Sequence, residues 1–165
     1  MRRELITALA TGLGIAAVAL VGVLWFNKGA HLVLEGGIQK VRVQSLDEAC
    51  AVVADFRATN PADVPFVVRA VRLVLTDAEG QQLEGTVVAD VDAKRLFDYY
   101  PALGQKFNDS LKGRDRIASG QTVDRMIAAR FEMPAQRALN RKGLRMIVED
   151  VDGAVAELAE AAPSQ

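Results

Sequence analysis

Apolar residues in most of this chain recur at every second position. Val52, Ala54, Phe56 and Ala58 alternate with Val53, Asp55, Arg57 and Thr59, which predicts a half-buried strand with Phe56 in the core and Arg57 in solvent. Val123, Ile127, Ala129, Phe131 and Met133 alternate in the same way, broken only by Arg125, and Leu144, Met146 and Val148 alternate with Arg145 and Glu149. Phe66 to Thr76 is rich in Val and Leu on both faces, as a central strand would be. The turn residues Asp77 to Gln82 then lead into a returning strand over Leu83 to Val91, and Ile38 to Leu46 is the expected opening strand. Short strands separated by Gly, Pro and Asp turns predict an immunoglobulin/fibronectin type III-like antiparallel β-sandwich, although a cysteine pair and a core tryptophan are missing.

Two stretches depart from that period. Over Asp92 to Phe107 the apolar residues Leu96, Phe97, Tyr100 and Leu103 share one face of a helix, so a helical insertion is expected, with Asp92 as its N-cap. Pro101 either kinks this helix or begins a second short turn. The alanine-rich segment Val155 to Ala162 is expected to close the chain as a short helix. The implied organisation is an anchor and juxtamembrane segment over residues 1–30, a sandwich over 31–153, and a terminal helix and tail over 154–165.

The anchor comes from Leu5 to Phe26, 22 uncharged residues, enough for a helix to cross a hydrocarbon core about 30 Å thick. Arg2 and Arg3 precede this run and Lys28 follows it, so the basic imbalance predicts an N-terminus in the cytoplasm, with Trp25 at the far membrane interface. The expected location is therefore the inner (cytoplasmic) membrane, with the domain periplasmic or otherwise extracytoplasmic. Ala17-Val18-Ala19 has the form of a signal-peptidase site, but the apolar run continues past it, which favours an uncleaved anchor. Ala8, Gly12 and Ala16 form a small-xxx-small row on which a homodimer could pair, a row that abundant Ala and Gly also produce by composition alone.

Charge and composition narrow the function. The chain of 165 residues has 20 basic and 21 acidic side chains, a balance that argues against nucleic acid as a partner. Once Arg2, Arg3, Lys28 and Glu4 are set aside, seventeen basic face twenty acidic side chains, so the exported part is mildly acidic. One cysteine, Cys50, reads as a small buried hydrophobe, and one histidine, His31, as a solvated residue beside the membrane. No catalytic residues, metal ligands or cofactor-binding residues emerge: Walker loops, nucleophile elbows, H-E-x-x-H and C-x-x-C are all missing. Asp150-Val151-Asp152-Gly153 lacks the third acid of a calcium loop and reads as a turn. The expected partner surface is aromatic, made of Phe97, Tyr99, Tyr100 and Phe107, because tyrosines present both apolar faces and hydroxyl tips.

The run FRATNPADVPFVVRAVRLVLTDAEGQQLEG, residues 56 to 85, resembles the late-embryogenesis-abundant group 2 family, the water-stress and hypersensitive-response (WHy) domain. The likeness lies in the order Phe56, Asn60-Pro61, Pro65-Phe66, Gly80 and Leu83-Glu84-Gly85, followed by a helical insert over Ala93 to Gly104 and a late strand closing in Phe131-Glu132-Met133-Pro134. Asn60, Pro61 and Pro65 also have a local reading, as a turn that ends one strand and begins the next. The resemblance implies a fibronectin-like sandwich with one helix and a non-enzymatic role in stress tolerance, shielding envelope proteins or membranes. The alternative is an accessory subunit that docks in an envelope assembly through a sheet edge or the Tyr99-Tyr100 surface. Arg114-Asp115-Arg116 has no counterpart in the family pattern.

Overall fold

A computed structural model describes residues 33–161. The Leu5 to Phe26 anchor, Trp25 and His31 lie outside the described residues, among which no helix is long and apolar enough to cross a membrane.

Strand β1 (Glu35–Leu46) turns at Asp47 and Glu48 into β2 (Ala49–Thr59), and the two pair antiparallel throughout. Asp47 takes a φ of 56°, which a short polar side chain tolerates. Gln39 bulges between Ile38 and Lys40. Strands β3 (Phe66–Thr76), β4 (Gln82–Val87), β5 (Arg116–Ile117), β6 (Thr122–Phe131), β7 (Gly143–Asp150) and β8 (Val155–Ala159) complete one antiparallel sheet in the order β1-β2-β6-β4-β3-β7-β8, with β5 on the start of β3. Its first half pairs into its second through β4. Gln82 to Gly85 pair with β3, and Thr86 and Val87 pair with β6. Gly85 stands at this corner, its α-carbon so near Phe131 that a β-carbon would lie 2.6 Å from the ring.

The sheet curls into a sandwich-like half barrel. Its two outer strands meet through a single parallel bridge between Ile38 and Glu160. A short helix, Ala135–Leu139, packs against β1 and β2 and places Ala138 in the core, while Arg141 just beyond it grips Glu160 at 2.5 and 2.8 Å. Covering edge strands in this way removes an aggregation template. Phe56, Phe66, Phe131, Leu73, Leu75, Met146 and Leu158 fill the interior.

Several expectations change. Among the described residues the terminal helix expected over Val155 to Ala162 is not formed: Val155–Ala159 is β8, paired with β7 and burying Ala156 and Leu158, so the sandwich runs past residue 153. The strand expected over Leu83 to Val91 ends at Val87, and the insertion helix, α1, spans Asp90–Tyr99 rather than starting after Asp92. Ala89 is its N-cap and makes no side-chain cap; Asp92 lies in the first turn, paired with Arg95. Pro101 opens a separate 3-10 turn, Pro101–Leu103, because the residue before proline is driven out of the helical region. Strand β2 is buried on both faces from Ala49 to Phe56, not half-buried, since α1 lies over its outer side. Phe56 and Arg57 take the predicted faces, one buried and one exposed.

Candidate functional site

The insertion builds a second, smaller core on the outside of the sheet. Ala93, Phe97 and Leu103 pack there on Val53 of β2 and on Met126 and Ala128 of β6. Beneath this layer a cation is enclosed. The Arg42 guanidinium donates to Asp55 Oδ2 at 2.6 Å and to the carbonyls of Leu103 and Gln105 at 2.9 and 2.8 Å, and lies 4.8 Å from the centre of the Phe97 ring. Asn108 donates to the other Asp55 oxygen at 2.9 Å. Arg42 Nε is buried without an acceptor. Aromatic contact and three charge-assisted hydrogen bonds thus tie residues 97–108 to β1 and β2.

The entry and exit of the insertion are tied by charge. Lys112 meets Asp90 at 2.9 Å, and this hydrogen bond holds the Asp90 carboxyl down at about 2, while Asp90 raises the Lys112 ammonium above its ordinary value. Lys106 faces Asp90 and Asp109 more loosely, at 3.8 and 3.7 Å.

Gly104 shapes the outer surface. Its φ of 74° and ψ of −157° belong to a region open essentially to glycine alone, and they turn the chain back alongside α1. Between the helix and the returning segment lies a groove of 420 Å³ lined by Lys94, Phe97, Asp98, Gly104, Gln105 and Lys106. Phe107 stands beyond it, 65% exposed, with the Lys40 ammonium 5.6 Å from its ring centre.

The four aromatic residues expected to form one surface are therefore divided. Phe97 is buried, Tyr100 is half-buried against the second core, and Tyr99 and Phe107 are exposed. Helical phase puts Tyr99 on the flank of α1 turned away from Lys94 and Asp98, so of the four only Phe97 lines the groove. Arg42 has no sequence signature, Asp55 reads there only as a polar position of its strand, and Gly104 only as the end of the insert. A glycine directly after Leu103, where the helical pattern stops, was the one available signal.

Asn60 is buried and fully engaged. Its side chain donates to the carbonyls of Val64 and Ile117 at 2.8 and 3.0 Å and accepts from the Ala62 amide at 3.1 Å. With Pro61 and Pro65 it forms the turn into β3. Asp150 accepts the amides of Val67 and Asp152 at 2.6 and 2.9 Å, which makes this segment the expected turn. Cys50 is buried, and burial pushes its thiol up. A second groove, 810 Å³, crosses the outer face at the β1–β8 seam over Gly36, Gly37 and Ala159.

No protein-family model matches the chain, and no curated protein matches it. Among solved structures the chain is similar to an uncharacterized beta-sandwich protein from Clostridium difficile, 8% identical, with 78% of this chain and 81% of that chain covered and a TM-score of 0.36. A likeness at that score carries no argument, and the antiparallel β architecture rests on the strand pairing itself.

Proposed function

We propose that this chain is a membrane-anchored, extracytoplasmic β-sandwich of immunoglobulin or fibronectin type III character that binds envelope proteins or membranes without chemistry and protects them under stress, as the resemblance to the WHy domain implies. The apolar run Leu5 to Phe26 and the basic imbalance around it support the anchor. One observation carries the binding role. The insertion is fixed from its inner side by Arg42, Asp55 and Asn108, yet it leaves Tyr99 78% and Phe107 65% exposed. Large aromatics on a rigid support are the side chains that dominate recognition surfaces. Among the described residues the buried acids Asp55, Asp77 and Asp150 are all held in structural hydrogen bonds and Asn60 is fully engaged, while Ser110 Oγ is buried without a partner; committed carboxylates support a role in binding over one in catalysis.

The full chain in nanodiscs should suppress aggregation of a heated or dried client protein, and Tyr99→Ala with Phe107→Ala should weaken that effect without lowering the melting temperature. Unchanged client aggregation at molar excess of the wild-type chain would overturn protection. A stoichiometric partner co-purifying from membranes in that case would favour the accessory-subunit reading, with the Tyr99-Tyr100 side as its dock.

A further inference from the structure

We propose that the groove between α1 and residues 104–106 docks an acidic, extended peptide segment of a partner protein, an inference that rests on the binding role above and names the chemistry of its target. The exported part of the chain is net acidic, yet three ammonium groups, Lys40, Lys94 and Lys106, gather around this groove and its neighbour Phe107. Among the described residues Lys40 and Lys94 have no carboxylate within ion-pair distance, and Lys106 has only the two loose contacts, because Asp90 is committed to Lys112. Asp98 is the single acid in the lining. A local excess of cations on a net acidic domain selects an anionic partner and speeds its encounter.

Shape narrows the class. The volume of 420 Å³ is that of a small groove for a few side chains, and its one aromatic lining residue is Phe97, 8% exposed and contacted by Arg42. One apolar side chain can meet the exposed part of Phe97 while flanking carboxylates reach Lys94 and Lys106. The Arg42 hydrogen bonds to the Leu103 and Gln105 carbonyls keep the outer wall in place, so the groove is formed before a partner arrives and little ordering cost remains. Phe107 lies outside this lining, with the Lys40 ammonium against its ring. An oligonucleotide is disfavoured by the charge of the chain as a whole, 20 basic against 21 acidic side chains, which supplies no extended basic track for a phosphate backbone.

The test uses the full chain in zwitterionic nanodiscs and a fluorescent hexapeptide of alternating Glu with Leu and Phe, read by anisotropy beside the same peptide with Lys in place of Glu. The acidic peptide should bind and the basic one should not. Lys94→Gln, at an exposed position and without adding an acid between Asp90 and Asp98 on the helix, should weaken binding several-fold, Lys94→Glu about tenfold or more with its melting temperature checked alongside, and Lys94→Glu with Lys106→Glu further, while Lys94→Arg retains it. Binding should also fall as salt rises. Equal binding of both peptides, no binding of the acidic one up to about 1 mM, or indifference to Lys94→Glu overturns the proposal. Competition by a single-stranded oligonucleotide as strong as that by the acidic peptide also overturns it, since the groove would then read charge alone. If the peptide fails while Tyr99→Ala with Phe107→Ala still abolishes client protection, the binding role stands and the acidic partner falls.

Discussion

Arg42 and Asp55 hold each other at 2.6 Å across the β1–β2 ladder although they are not opposite in register: Arg42 faces Val53, and Asp55 faces Lys40. The diagonal reach brings both side chains under the insertion, where each retains only 9% of its exposure. Removing one partner of such a pair strands the other charge in a desolvated place. Arg42→Met or Asp55→Asn should therefore cost about 3 to 5 kcal/mol, whereas replacing both residues with apolar ones of similar volume should cost less than either single change. Urea unfolding of the four chains measures this. A double replacement as costly as the sum of the single ones would show that the pair is not a coupled unit.

The core face of β2 offers a cleaner contrast. Phe56 is 1% exposed among the largest interior side chains, and truncation to alanine should cost about 3 to 5 kcal/mol, a loss of ten degrees or more in melting temperature for a domain of this size. Its neighbour Arg57 lies outside, joined to Asp124 by two hydrogen bonds of 2.8 and 2.9 Å, and both side chains are about half exposed. Arg57→Ala should change the melting temperature little, because an exposed pair exchanges its attraction for solvation. Equal losses for the two variants would contradict the register.

How far the sequence reveals this fold depends on whether a residue's environment is local. Leu144, Met146 and Val148 face inward as their alternation predicts, and β3 spans Phe66 to Thr76 as expected of an interior strand between β4 and β7, although only Leu73 to Leu75 are buried in succession and Arg69 and Arg72 are exposed. Val53, Met126 and Ala128 were legible as apolar but not as a second core, since what covers them arrives from residues 90–103. Alanine content misdirected the reading of residues 155–159. Helix propensity is a weak prior against eight residues of paired strand waiting at β7, and the alternation of Ala156 and Leu158 with Val155, Glu157 and Ala159 was the better signal. Arg42 was hidden for the opposite reason. A basic residue among Gln and Lys in an opening strand reads as solvated until the chain 61 residues later supplies carbonyls for it.

Acid should loosen the molecule at two places. Asp77 is fully buried. Burial alone would raise its carboxyl, but the Arg137 guanidinium and the Gln81 amide, 2.8 Å away, outweigh it and hold the group below the usual carboxylate range. Asp90 is held at about 2 by Lys112. A carboxylate depressed in the folded state contributes stability that is present above its unfolded value and is lost as the pH falls through the folded one. The urea midpoint should thus be level near neutrality and drop between roughly pH 4 and pH 2. Asp90→Asn should lower the neutral plateau and flatten that drop. A variant with the same acid slope as the parent would remove Asp90 from the account.

The corner of β4 sets the strictest test of packing. Gly85 is buried where the strand leaves β3 for β6, and an added β-carbon would meet Phe131 at 2.6 Å and the Ala129 methyl at 2.9 Å. Neither neighbour has room to retreat, because Phe131 is 1% exposed and Ala129 is fully enclosed in the main core. Gly85→Ala should then destabilise by about 1 to 3 kcal/mol through overpacking, opposite to the usual gain when alanine replaces glycine in a strand. Shortening the ring should make space. Phe131→Leu alone leaves a cavity and destabilises, but combined with Gly85→Ala it should cost less than the sum of the two single changes, a favourable coupling that marks direct contact. Thermal unfolding of the three variants beside the parent reads the coupling directly. Additive losses would mean that the corner has moved away from Phe131 and that β4 joins the two halves of the sheet in some other way.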